Sequence, residues 1–408
     1  MCRSSVAVFS VQQAEPVLLK TSLYIHIPFC RSKCTYCDFF SISADGDVPD
    51  SYIDALCAEI SWRMAEFGAD GWLTVYVGGG TPSLLSEKQL RRLFNFIRSL
   101  GGTAAECTVE LNPDDVTSSL LECLSECGVN RISVGIQAME QSVLSAVKRR
   151  SSLQTVYAAL ECIRRVWKGV FSADIICALP GQSESGFFNG LEKLLSYEPA
   201  HISMYSLTIE DGTPLGNAVR EGAVCYDFDA ADAMWISGRD FLESRGYRQY
   251  EVSNFYSIKN GSPCAHNLTY WKLQNYIGAG SGAAGSLYGR KSIRYTNTHD
   301  IAEYIRFWNS FDCKKSAGQA VVPQSVECIE KNTEQFEFFM MGFRTADGIC
   351  AEEYSGRFGD EIPERILRVF DRWQKKNLLR QYQKDGQNWY ALTGNGLLFL
   401  NPFLEEIM

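Results

Sequence analysis

No apolar run in this 408-residue chain is long enough to cross a bilayer as a helix, which takes about 20 apolar residues, so no transmembrane segment is expected. Positive charge is also short: 39 Lys and Arg face 48 Asp and Glu, a net charge of -9 at pH 7. That balance argues against nucleic acid as a partner, because a nucleic-acid surface is normally basic. Histidine occurs only four times. The first residues hold one arginine and one short apolar patch, Val6–Phe9, too little for a signal peptide, and residues 1–20 are expected to form a flexible leader. Cysteine, in contrast, is plentiful at 15. In a chain this long an odd set does not read as a secreted disulfide framework. Cys57, Cys107, Cys162 and Cys177 stand among apolar residues as small hydrophobes. Cys123 and Cys127, four apart on a predicted helix, could share a metal but fit core packing better. A reducing cytoplasm suits this usage. Hydrophobic residues at 46% describe a globular protein, and the length predicts one large domain and one smaller.

Three cysteines stand apart. Cys30, Cys34 and Cys37 follow C-x3-C-x2-C spacing, directly after the β-like run Leu23–Ile27 that Pro28 ends. Three thiolates so spaced can hold three corners of a cubane iron–sulfur cluster. An electron-transfer cluster would take a fourth cysteine, and Phe39 stands where a nearby one would come. One iron is then open to a small molecule. A zinc site completed by His26 or Asp38 is the plainer alternative, although zinc knuckles usually pair two C-x2-C half-sites.

From Leu23 to about Thr208 short β-branched runs alternate with helical patterns. Strands are predicted over Leu23–Ile27, Leu73–Val77, Cys107–Leu111, Arg131–Ile136, Phe171–Cys177 and His201–Leu207. The helix carrying Leu90, Leu93, Phe94 and Ile97 opens on Ser86-x-x-Gln89, a capping-box pattern. Six β-α units predict an α/β fold with a parallel sheet, either an open barrel or doubly wound. Ligands gather at the C-terminal strand ends of such folds. There the chain places the cysteine loop, the run Gly78-Gly79-Gly80-Thr81, Glu110, Gln137, Asp174, and Tyr205 with Ser206. Singly, each has a duller reading: a glycine triplet is usually a tight turn, and Glu110 a solvated or capping carboxylate. Their joint placement on successive strands points to one site.

The pattern Y-x-H-x-P-F-C-x3-C-x2-C, here Tyr24 to Cys37, resembles the radical S-adenosylmethionine (SAM) enzymes, in particular the oxygen-independent coproporphyrinogen III oxidase branch. The resemblance implies a partial (β/α)6 barrel and a [4Fe-4S] cluster on Cys30, Cys34 and Cys37. Its open iron would bind SAM, whose reductive cleavage yields a 5′-deoxyadenosyl radical. It further implies that Tyr24, Gly79, Gly80 and Thr81 meet SAM's methionine end and that Tyr36 packs near the adenine. Glu110, Gln137, Arg149 and Asp174 would contact the sugar and neighbouring polar groups, and Ser206 and Ala284 join the cofactor-binding set. Lys148 and Arg150 flank Arg149 and make it the loosest of these matches.

A second cluster lies at Cys264–Trp271, followed by the glycine-rich Tyr276–Gly285, whose backbone could approach a flat ligand. Imidazole is a common haem ligand, yet a histidine beside a Tyr-Trp pair is more often packed structure, and His26 could be a plain support of the cysteine loop. His266, Asn267, Tyr270 and Trp271 form H-N-x-x-Y-W, which is similar to the haem-binding motif of the HemW haem-chaperone family, a close relative of the oxidase. The oxidase pattern continues to a further cysteine at the position of Phe39; the chaperone pattern does not. The resemblance therefore implies a protein binding the cluster, SAM and haem, with His266 the candidate haem ligand, that passes haem to an acceptor protein, plausibly membrane-bound and respiratory. It also allows a homodimer. Coproporphyrinogen oxidation is the alternative, with its activity in doubt at Phe39.

The expected division is a core barrel over 21–235, an accessory segment over 236–321 carrying the second motif, and a C-terminal domain over 322–408. In the last, helices near 334–341 and 362–376 precede a hairpin around Lys384-Asp385-Gly386. That order resembles a winged helix, but without strong basic charge a lid or partner surface is the better reading.

Overall fold

The computed structural model describes residues 19–44, 46–311 and 322–408. The expected leader lies almost wholly outside these residues. Six parallel strands stand side by side in chain order: β1 (Leu19–Ile27), β2 (Ala69–Gly79), β3 (Glu106–Leu111), β4 (Arg131–Gln137), β5 (Val170–Cys177) and β6 (His201–Ser206). All six predicted strands are present. Helices α1 (Asp50–Glu66), α2 (Glu87–Gly101), α3 (Ser118–Glu126), α4 (Leu153–Val166) and α5 (Glu184–Leu195) make the crossovers. Their apolar faces cover the sheet with residues such as Ile53, Leu56, Leu90, Leu93, Leu160 and Leu191. The predicted capping box is formed, with Ser86 and Gln89 bonding each other's backbone N–H.

β1 and β6 do not pair, so the barrel stays partial. Beyond β6 lies the antiparallel pair β7 (Tyr247–Gln249) and β8 (Asn254–Ser257). At the other edge β9 (Tyr276–Ala279) joins β1 in parallel, and β10 (Ala284–Leu287), β11 (Ser292–Asn297) and β12 (Gln324–Ile329) follow antiparallel. This corrects the expected division at two points. The segment after 236 is built into the main sheet, not appended to it, and residues 324–329 belong to that sheet rather than to the C-terminal domain. The glycine-rich stretch also differs from expectation: it is packed strand, not an open face for a flat ligand. A Cβ on Gly278 would fall 1.8 Å from the Ala284 carbonyl oxygen, and one on Gly285 2.3 Å from the Tyr295 hydroxyl.

A buried ion pair ties this extension to α1. Arg63 donates to Glu59 at 3.1 Å, to Asn297 and to Gln324, and its guanidinium lies 3.7 Å from the centre of the Tyr295 ring. Glu59 in turn accepts from the Gly280 N–H and the Tyr304 hydroxyl.

A second core, including Phe339, Phe343, Phe370, Trp373 and Phe403, forms the C-terminal domain. Its helices α9 (Lys331–Gly342), α10 (Ala351–Phe358) and α11 (Glu364–Lys375) carry a three-stranded sheet of β13 (Ile349–Cys350), β14 (Leu379–Lys384) and β15 (Gln387–Leu392), the helix-and-hairpin order expected. Between β8 and β9 runs α7 (Ala265–Trp271), after α6 (Phe228–Ser244); α8 (Ile301–Ser310) precedes the C-terminal domain.

Candidate cofactor-binding site

The loop after β1 carries the three thiols. Cys34 is buried, and Cys30 and Cys37 are half-buried. The Thr81 hydroxyl donates to Cys30 Sγ at 3.5 Å, and Arg149 Nη1 donates to Cys34 Sγ at 3.5 Å. Burial pushes the Cys37 thiol up. His26 supports the loop from behind. Its Nε2 donates to the Phe40 carbonyl at 2.9 Å, so Nδ1 accepts the Tyr24 hydroxyl at 2.8 Å. Both nitrogens are used, which removes His26 as the fourth ligand of a zinc ion. Among the described residues no three His, Cys, Asp or Glu side chains converge closely enough to hold one metal ion.

Beside the thiols the end of β2 is shaped by close approach. Gly79 has φ +111°, and a Cβ there would meet the His26 ring at 2.5 Å; one on Gly80 would meet the Phe29 carbonyl oxygen at 2.7 Å. Only glycine fits both places. Three thiols with donors around them, next to a bare backbone cradle, suit a [4Fe-4S] cluster with a small polar ligand.

The next strands bring the predicted polar groups to the same end. Glu110 accepts the Tyr76 hydroxyl at 2.7 Å and the Gly79 N–H at 3.1 Å. Burial nevertheless pushes its carboxyl up to about 7. It is neither solvated nor a helix cap. Asp174 accepts from Ser133 at 2.9 Å, and burial raises it to about 6. Arg149 donates from Nη2 to Asn112 and to the Gly135 carbonyl, each at 2.7 Å, and so belongs to the site despite its charged neighbours. Its Nε is buried without a partner among the described residues. Gln137 sits at a bulge with φ +66°, where a non-glycine residue is strained, as strand-end residues at functional sites often are. Tyr36 packs against Cys34 and Arg149, and burial pushes its phenol up. Ser206 closes the row opposite Cys177 on β5. Ala284 opens β10 opposite Gly278, near the C-terminal end of β9 and two strands across from β1.

Asn112 escaped the sequence reading. It bridges Arg149 to the Thr81 hydroxyl, which its Nδ2 reaches at 3.0 Å. Its place between a strand end and Pro113 was the available signal.

The second motif is arranged differently from expectation. His266 is buried, stacked on Tyr76 at 5.0 Å between ring centres. Thr74 donates to Ser22 at 2.9 Å, so it accepts from His266 Nδ1 at 2.7 Å, and Tyr270 donates to Nε2 at 2.8 Å. Burial pushes the imidazole down to about 3, so the ring is neutral. In this arrangement it offers no free lone pair to a haem iron, a correction to its expected role. Asn267 and Trp271 are half-buried, the latter with an indole N–H that has no partner among the described residues. The motif ties α7 to β1 and β2.

Residues 24–194 match the radical SAM superfamily, and residues 329–399 match the HemN C-terminal domain. The heme chaperone HemW of Lactococcus lactis is 33% identical over 85% of this chain and 89% of its own length. That of Escherichia coli is 32% identical over 94% and 97%. Among solved structures, the coproporphyrinogen III oxidase HemN of Escherichia coli, a radical SAM enzyme, aligns over 95% of this chain and 90% of its own at a TM-score of 0.75 and 19% identity, a likeness of fold. Identity of about a third, sustained along nearly the whole of both sequences, means that this chain belongs to the HemW family of radical SAM proteins.

Proposed function

We propose that this chain is a haem chaperone: it holds a [4Fe-4S] cluster and SAM at the C-terminal strand ends, binds haem, and passes it to an acceptor protein. The observation that carries the reading is the near full-length match to proteins named heme chaperone HemW. The cysteine loop supports it, because Phe39 stands 71% exposed where the oxidase pattern has its further cysteine. No helix among the described residues is long and apolar enough to cross a membrane, and the reading places the protein in the cytoplasm. The acceptor is a separate protein.

Cys30, Cys34 and Cys37 would hold the cluster. A [4Fe-4S] cluster there supplies an electron and an open iron for the amino and carboxylate groups of SAM. The chain's own part is positioning: Gly79 and Gly80 let backbone approach the ligand, Glu110 and Asp174 offer acceptors, and Tyr36 offers an aromatic face. At neutral pH the Glu110 carboxyl sits near its titration midpoint, so a cationic ligand would draw it towards the ionised form.

The test is an anaerobic haem titration of cluster-reconstituted protein, followed by mixing with an apo haem protein. Saturation near one haem per chain, then transfer to the acceptor, is expected. Failure of the wild type to bind haem, with anaerobic conversion of coproporphyrinogen III instead, would establish the oxidase. Replacing Cys34 by serine should bring iron and acid-labile sulfide close to background, as measured by elemental and sulfide analysis, while haem binding persists.

A further inference from the structure

At the N-terminal ends of β1 and β2, the end of the sheet away from the cysteine loop, lies a half-open cavity of about 490 Å³. That is within the range of about 300–1,000 Å³ typical of small-molecule sites. Four parts of the chain enclose it: the starts of β1 and β2, the turn after α7, the end of β10, and helices α9 and α10 of the C-terminal domain. Phe67, Leu73, Leu273, Leu287 and Tyr288 form the apolar part of its lining, and Lys20 and Arg357 bring two positive charges against the one negative charge of Glu334.

Arg357 is only partly used by the fold. Its Nε donates to Glu334 at 2.7 Å and its Nη1 to the Leu273 carbonyl at 3.1 Å, and its guanidinium lies 4.7 Å from the centre of the Tyr288 ring. Nη2 is buried with no partner among the described residues. A buried cationic donor without an acceptor is costly, and an anionic oxygen is the group that best relieves it. Glu334 takes the Arg357 Nε on one oxygen and the Ser292 hydroxyl on the other, and neither bond comes from Nη2. The cavity therefore suits a ligand with a broad apolar body and carboxylates at one edge.

We propose that this cavity is the seat of the tetrapyrrole, with the macrocycle against the apolar wall and the propionates turned to Lys20 and Arg357. The assignment rests on the haem-chaperone reading and moves the haem away from His266. No His, Cys or Met lines the cavity among the described residues. Recognition then depends on the ring and its carboxylates, not on the iron.

The test compares three probes on the full chain with its cluster: haem, iron-free protoporphyrin IX, and iron protoporphyrin IX dimethyl ester. Protoporphyrin IX should displace haem at a similar concentration, and the diester should bind about tenfold or more weakly, as loss of charge-assisted hydrogen bonds predicts. Lys20→Glu, at an exposed position, and Leu73→Trp, which fills the cavity, should each weaken haem binding about tenfold or more. Both should leave the cluster absorbance and the thermal midpoint close to wild type. Should Leu73→Trp fail to fold, Lys20→Glu and the diester still decide. Wild-type haem binding that ignores esterification and survives both substitutions would overturn the cavity and leave the chaperone reading standing. Absence of haem binding by the wild type would overturn that reading and the cavity with it.

Discussion

Glu110 is held far from its ordinary chemistry. Its carboxyl is raised from the usual 4.5 to about 7 by burial. Between those values the folded protein keeps a proton that the unfolded chain has released, so this group's contribution to stability is fullest below about 4.5 and is lost as pH rises through about 7. Asp174 adds a similar loss between its ordinary 3.8 and about 6. Glu110→Gln should therefore flatten the decline of the ligand-free protein's unfolding free energy between pH 5 and 7, by an amount on the order of 1–3 kcal/mol. An equal slope in both proteins would show that Glu110 ionises normally. His266 is also a structural residue: His266→Ala removes two buried hydrogen bonds and leaves a void. A loss of about 2–4 kcal/mol in urea unfolding is expected, with haem affinity of the folded protein unchanged. Both residues stood out in the sequence, one as a carboxylate in an apolar strand and the other in a recognisable motif. Their settings did not. Whether His266 faced a ligand or the core was decided by Thr74 and Tyr76, nearly two hundred residues away on β2.

At the scale of elements, the sequence announces what is local. β-branched runs bounded by turns marked the six central strands, and Ser86 with Gln89 marked the start of α2. β9 and β10 left no such mark. Each has four residues and one contains the interior Gly278, the other Gly285, so the side-chain alternation that identifies a strand is interrupted. Their pairing depends on contacts made at long range, above all the Glu59–Arg63 pair beneath them. Breaking a buried ion pair from one side leaves the other charge stranded. Arg63→Met should cost about 3–5 kcal/mol and should show in hydrogen exchange as lost protection of β9–β11 before β3–β5. Equal loss throughout the sheet would mean that the pair stabilises the molecule as a whole and does not pin this edge. In the site, Ser133 escaped the sequence reading for a related reason: a serine in a strand is unremarkable until the neighbouring strand puts Asp174 opposite.

For the whole molecule, the proposed cofactor site and the proposed haem cavity stand at opposite ends of the sheet. The cysteine loop, Glu110 and Arg149 occupy one end of the sheet, and the cavity that meets the C-terminal domain occupies the other. β1 serves both, with Tyr24 and His26 near its end and Lys20 at its start. Its nine residues span about 30 Å at roughly 3.3 Å each. Reaction between two groups requires near contact, about 3–3.5 Å. A radical born beside Cys30 would thus be quenched long before it could scar a passenger seated by Lys20. Air that bleached the cluster would disarm the protein at one end and leave the passenger aboard at the other.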